Sequence, residues 1–203
     1  MIKVKICGLT RLQDIDAVNI ERPDYIGFVF ANSSRKVSSR QALELRARLV
    51  QGITPIGVFV NETIEDIVSL IQDGIVDVVQ LHGGEDEEYI KRLKKLTEKP
   101  IIKAVTVQKA GDVQKWASTS ADYLLLDNKG GGTGQTFDWS LIGETDSRYF
   151  LAGGLNIENV GAAIEKTNPY AVDISSGVET GGVKDPLKIK EFIRRIRNTR
   201  EFL

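Results

Sequence analysis

One cysteine and one histidine are all that 203 residues contain of either. A lone cysteine closes no disulfide within the chain, and a reducing compartment, the cytoplasm, is the simpler setting. A lone histidine, His82, excludes a metal site built from two or more imidazoles of one chain. Charge of one sign is also missing: 27 Lys plus Arg face 28 Asp plus Glu, for a formal net charge of -1. That balance offers nucleic acid no broad basic surface, although it permits a small local anion site. No run of ~18 apolar residues occurs and the N-terminus has no leader-like apolar core, so no membrane partner is expected. No Gly-x-Gly-x-x-Gly fingerprint follows the first apolar run, where the chain reads CGLTRL, and no redox cofactor is expected.

What is present is alternation. Runs rich in Val, Ile and Leu lie near 2–7, 25–30, 55–60, 77–81, 101–105, 122–127, 149–152 and 171–174. Most are separated by segments of helical spacing, at 41–50, 64–71, 85–96 and 156–164, and a last helix is expected over 186–197. That helix would carry Leu187, Ile189, Phe192, Ile193 and Ile196 on one side. Strands alternating with helices argue for βαβ units and a parallel sheet, hence the α/β class. About eight such units make either a closed barrel or an open doubly wound sheet. The glycine-rich turns come late, after the seventh and eighth runs, where barrels commonly hold a phosphate. The expectation is a single (β/α)8 TIM barrel, one domain over 1–203, with tight loops.

Barrel active sites sit at the carboxyl ends of the strands, so the residues there are the candidates. Cys7 ends the first run. Side chains alternate along a strand, which puts Lys3, Lys5 and Cys7 on one face and Val4 and Ile6 on the other. If Val4 and Ile6 face the helices, Lys5 and Cys7 point inward. A cation beside a thiol favours the thiolate, which can serve as nucleophile or base. The plainer alternatives are an inert core thiol and a Lys5 that pairs with an interior carboxylate such as Asp173. Asp127 ends YLLLD, and a partly desolvated carboxyl there suits a general acid, or else caps its own loop. Arg35, in ANSSRKV, has the planar fork that fits a carboxylate, or lies solvated on the surface. Gln80 and His82 end VVQLHG, where His82 is either structural or close to a ligand.

Two turns suit an anion. AGGLNIENV sets Gly153 and Gly154 before a helix, with Asn156 as its N-cap. DISSGVE sets Ser175, Ser176 and Gly177 where a short helix can open. Exposed N–H groups at two neighbouring helix starts suit a phosphate dianion. Cys7 and Asp127 would then flank the other end of the same ligand from nearly opposite strands. The stretch DNKGGGTGQTFDW holds Gly130, Gly131, Gly132 and Gly134, and reads as a lid or as a surface insertion.

Together KVKICGLT, GFVFANSSRKVS, GVFVN, VVQLHG, LLLDNKGGGTGQTFDW, LAGGLNIENV and AVDISSGVE resemble phosphoribosylanthranilate isomerases, in order, from residue 3 to residue 179. A histidine-pathway isomerase barrel would instead be expected to carry Asp at the place of Cys7. The resemblance implies an Amadori rearrangement in tryptophan biosynthesis. N-(5-phosphoribosyl)anthranilate would become 1-(2-carboxyphenylamino)-1-deoxyribulose 5-phosphate, with this phosphosugar as the small-molecule partner. It implies Asp127 as general acid, Cys7 as general base and Arg35 as holder of the anthranilate carboxylate. His82 would lie near the substrate, with the late glycine turns on its phosphate. The likeness leaves monomer and homodimer both open. The rivals are a pentulose phosphate epimerase, which commonly needs several metal-binding histidines, and a silent phosphate binder on the same fold.

Overall fold

The computed structural model describes residues 1–128 and 136–198. Eight parallel strands close on themselves in chain order: β1 (Lys3–Cys7), β2 (Tyr25–Val29), β3 (Thr54–Phe59), β4 (Val78–Leu81), β5 (Ile101–Thr106), β6 (Tyr123–Asp127), β7 (Tyr149–Leu151) and β8 (Ala171–Ile174). The seam pairs β1 with β8, bringing Lys5 opposite Asp173, while Cys7 pairs with Gly27 of β2. All eight runs read from the sequence are strands of this barrel.

The two faces of each strand meet different surroundings. Val4 and Ile6 join the large apolar cluster between strands and helices, with Phe28, Phe59 and Phe192 fully buried in it. Each such side chain contributes about 1.5–3 kcal/mol by leaving water. The inward face holds a second cluster of Ile56, Val78, Ile102, Leu125, Phe150, Ala152 and Ala171. Tyr25, Tyr123 and Tyr170 pack around Phe150 and close its lower end. Two residues further up the strands, the inward positions turn polar, with Gln80, Asp127 and Asp173 buried there. The barrel is thus filled below and chemical above.

The helices follow their caps and apolar spacing. In α1 (Leu12–Glu21), which the sequence pattern did not announce, Ile15 and Val18 are buried while Ile20 is exposed. The helix α2 spans Ser39–Ala47. Thr63 caps α3 (Ile64–Gln72) by accepting from the Asp66 N–H, and Asp86 caps α4 (Glu87–Lys94) by accepting from Tyr89. Among the described residues the connections after β5 and β6 each contain a single 3-10 turn and no α-helix, at Gln114–Trp116 and Trp139–Ile142. Asn156 is not the N-cap of the next helix. Its Oδ1 accepts from the N–H groups of Glu158 and Asn159 in a leading turn, and α5 begins later, over Val160–Thr167. In α6 (Pro186–Asn198) Ile189, Phe192, Ile193 and Ile196 are buried as expected, whereas Leu187 is 76% exposed in the first turn. A short hairpin, β9 (Glu179–Thr180) and β10 (Val183–Lys184), lies between β8 and α6. Among the described residues no helix is long and apolar enough to cross a membrane.

Candidate active site

A cavity of about 340 Å³ opens at the carboxyl ends of the strands. Cys7, Arg35, His82 and Asp127 line it, and so do Gly153, Gly154, Ser175 and Ser176. Asn156 and Gly177 do not line it. Gly177 has a steric reason to be glycine: a Cβ there would sit 2.2 Å from the Leu155 carbonyl oxygen, so the turns after β7 and β8 touch backbone to backbone. Gly130 to Gly134, read as a lid or an insertion, lie outside the described residues.

Cys7 points inward and is 9% exposed. Below it, the fully buried Lys5 Nζ donates to Asp173 Oδ2 at 2.8 Å and to Gln80 Oε1 at 2.7 Å. Lys5 is therefore first of all the partner of an interior carboxylate. Its charge, and that of Lys184, pulls the Cys7 thiol down, yet burial outweighs both and the thiol stands above its usual value, with Asp173 pushing the same way. Lys5 thus does both things the sequence left open: it pairs with Asp173, and it pulls on the thiol, though more weakly than burial pushes it up.

Asp127 stands three strands from Cys7 around the ring, with β7 and β8 on the shorter arc between them. The two groups thus flank the late glycine turns and do not face each other squarely across the barrel. The Asp127 Oδ1 accepts from the Asn128 N–H at 2.7 Å, and His82 Nε2 lies 3.4 Å from Oδ2. Gly153 adopts φ +79°, and a Cβ there would come within 2.9 Å of Asp127 Oδ1, so glycine is needed both for the turn and for the carboxyl beside it.

Arg35 lines the cavity but is already engaged. Its Nε and Nη2 donate side-on to Glu179 Oε1 and Oε2, each at 2.7 Å. This leaves Nη1, with both its hydrogens, for another acceptor. Glu179 also accepts from Lys184. Burial pushes the Glu179 carboxyl up, but hydrogen bonds from Arg35 and Lys184 outweigh it and hold the group below its usual range. Lys184 is buried and donates to the Ser175 carbonyl at 3.0 Å, so a cation lies directly under the turn after β8. Sequence reasoning missed Glu179 and Lys184. The signal was the Gly181–Gly182 pair, both at positive φ, which folds β10 back so that Lys184 pairs with Glu179.

The arrangement offers a carboxyl group and a thiol over one cavity, a rim of glycine and serine turns between them, and a guanidinium to one side. Among the described residues no group of three or more His, Cys, Asp or Glu side chains is placed to hold a metal.

Comparison with known proteins agrees with this geometry. The family model of N-(5'-phosphoribosyl)anthranilate isomerase matches residues 4–195. The N-(5'-phosphoribosyl)anthranilate isomerase of Endomicrobium trichonymphae is 50% identical over 202 residues, covering 98% of this chain and 100% of that protein. The phosphoribosyl anthranilate isomerase of Thermus thermophilus superposes with a TM-score of 0.89 at 31% identity, over 98% of this chain and all of that one. Another phosphoribosyl anthranilate isomerase, solved in complex with reduced 1-(o-carboxyphenylamino)-1-deoxyribulose 5-phosphate, superposes at 0.86 with 37% identity, over 98% of this chain and 100% of that one. With the family model running through all eight strands, the chain belongs to the N-(5'-phosphoribosyl)anthranilate isomerases, intramolecular isomerases of tryptophan biosynthesis built on a (β/α)8 barrel.

Proposed function

We propose that Asp127 and Cys7 divide the acid and base work of the Amadori rearrangement. Asp127 gives a proton to the furanose ring oxygen of N-(5-phosphoribosyl)anthranilate. The C1–O bond breaks and an open-chain Schiff base forms, with its positive charge next to C2. That charge makes the C2–H bond far more acidic. It also adds to the pull of Lys5 and Lys184 on the Cys7 sulfur, whose own proton passes to solvent at the cavity mouth before the thiolate takes a proton from C2. Cys7 takes the C2 proton, and the resulting enolamine tautomerises to the ketone. No electron leaves the substrate, and the steps balance without a redox partner.

The remaining residues hold the ends of the molecule. The Nη1 of Arg35 takes the anthranilate carboxylate while Glu179 keeps the guanidinium plane fixed. The N–H groups at Gly153, Gly154, Ser175 and Ser176 take the phosphate, with the buried Lys184 beneath them and Asn156 and Gly177 shaping the two turns. The reaction belongs in the reducing cytoplasm, where a lone catalytic thiol stays free.

The observation that carries this reading is the placement of Cys7 and Asp127 on one cavity wall, three strands apart, with both phosphate-type turns on the arc between them. Cys7→Ser and Asp127→Asn are each expected to lower turnover by ~10²-fold or more. Binding of the reduced product analogue should persist in both. Turnover is read from the loss of anthranilate fluorescence, and a wild-type rate in either variant removes that residue from the chemistry.

A further inference from the structure

Four polar side chains, Lys5, Gln80, His82 and Asp127, form a line that ends at the proposed acid, and the direction of its hydrogen bonds is dictated by its first member. Lys5 has only hydrogens to give. It gives one to Gln80 Oε1 at 2.7 Å, so the oxygen of that amide must face Lys5. The amide nitrogen then faces the other way, 2.8 Å from His82 Nδ1. An amide nitrogen has no lone pair to offer, so Nδ1 must accept. The neutral imidazole is left with its hydrogen on Nε2, the ring nitrogen that lies 3.4 Å from Asp127 Oδ2. Gln80 is 1% exposed, which leaves little room for water to replace either bond.

We propose that Gln80 is a positioning residue that sets the tautomer of His82, and thereby fixes which ring N–H faces Asp127 as the acid gives up its proton. This rests on the reading of Asp127 as the acid. A doubly protonated His82 would pair with Asp127 as a carboxylate and leave no proton to donate. It would also set an Nδ1–H against the Gln80 NH2, which the line from Lys5 forbids. A neutral ring with hydrogen on Nε2 suits both states of the acid. It can donate to protonated Asp127, and its bond strengthens once the O–H bond breaks and a carboxylate appears, since charge-assisted bonds are roughly twice as strong. The Asn128 N–H already stabilises the other oxygen. The 3.4 Å separation is longer than an ordinary hydrogen bond, and catalytic contacts commonly tighten with substrate. His82 therefore acts on the acid.

The test exploits the single histidine of the chain. With nitrogen-15 labelling, a long-range proton–nitrogen correlation spectrum contains one imidazole, and its pattern names the protonated nitrogen. The wild-type enzyme at neutral pH is expected to carry hydrogen on Nε2 alone. Hydrogen on Nδ1, or on both nitrogens, overturns the proposal with no variant needed. Gln80→Glu offers His82 an acceptor and should move hydrogen to Nδ1, lowering kcat by ~10-fold or more while KM changes little. Gln80→Met, which adds no buried charge, should give mixed tautomers and a smaller loss of kcat. A moved hydrogen with wild-type kcat in either variant refutes the catalytic purpose of the line. Wild-type turnover in Asp127→Asn would instead refute the acid, and the wild-type spectrum would still decide by itself whether Gln80 sets the tautomer.

Discussion

Adding one methyl group behind the thiol should disable the enzyme while leaving it folded. Gly27 is the cross-strand partner of Cys7 and does not line the cavity. In Gly27→Ala the new Cβ would lie 2.7 Å from Cys7 Sγ, 3.1 Å from its Cα and 3.3 Å from its Cβ. Ordinary contact needs about 3.5–4.0 Å, so the sulfur must retreat by about 1 Å. The strands cannot simply part, because the Gly27 carbonyl accepts from Gly8 at 2.9 Å and Leu9 at 3.2 Å just above. A displacement of about 1 Å at a reacting group costs on the order of 10²-fold in rate. Overpacking by one methyl costs about 1–3 kcal/mol, or about 2–4 °C of Tm for each kcal/mol in a chain of this size. The assay pairs kcat, from the loss of anthranilate fluorescence, with Tm from circular dichroism. A lowered Tm with wild-type kcat would mean that the position of the thiol does not matter to the reaction, and the base assignment would fall with it.

Other consequences follow from the buried charges. Since burial holds the Cys7 thiol above 9.0, alkylation of the free enzyme by iodoacetamide should climb only as pH passes that value, because the thiolate is what reacts. Lys5→Met should push the climb higher still; a midpoint below 9.0, or one that Lys5→Met leaves in place, contradicts the account. Lys5→Met also leaves Asp173, 8% exposed, without its cation, at a cost of about 3–5 kcal/mol in urea unfolding. Replacing both Lys5 and Asp173 by apolar residues should recover much of that loss, and a double variant no more stable than the single one would argue against the pair. Glu85 is buried, which pushes its carboxyl up, but the Lys103 ammonium at 2.9 Å and the Asn61 N–H at 2.7 Å outweigh burial and hold it down. Its contribution is therefore full above the ordinary value of 4.5 and is lost as pH falls through the depressed native value. Glu85→Gln should be less stable at neutral pH and show a flatter acid dependence; an unchanged slope in urea titrations would refute this.

Much of the barrel is written in short-range pattern. Val4, Ile6 and their counterparts alternate with inward residues on every strand, and alternation survives whatever the neighbours are. Caps are local too, which is why α3 and α4 lie near their expected places. Where pattern was weak, expectation failed for identifiable reasons. The buried face of α1 is only Ile15 and Val18 with Ala17 and Asp14, too thin to stand out beside the exposed Ile20. Asn156 has the chemistry of a cap and uses it, but on a turn that precedes the helix.

The site was legible as far as strand ends go: Cys7, Arg35, His82 and Asp127 all reach one cavity. Its wiring was not. That Gln80 carries a hydrogen bond from Lys5 to His82 depends on the closure of eight strands, which brings residue 80 beside residue 5. The Arg35–Glu179 pair likewise joins positions 144 residues apart. Interactions of that range depend on the finished ring, and no window of sequence contains them.

The division of labour between thiol and carboxyl is tested most directly by trapping the open-chain Schiff base with borohydride during a single turnover. Cys7→Ser, which keeps the acid, should accumulate the reducible intermediate and stall there; Asp127→Asn should leave the closed ring and yield little. Equal trapping in both variants, or accumulation in Asp127→Asn instead, would contradict the assignment of the two groups.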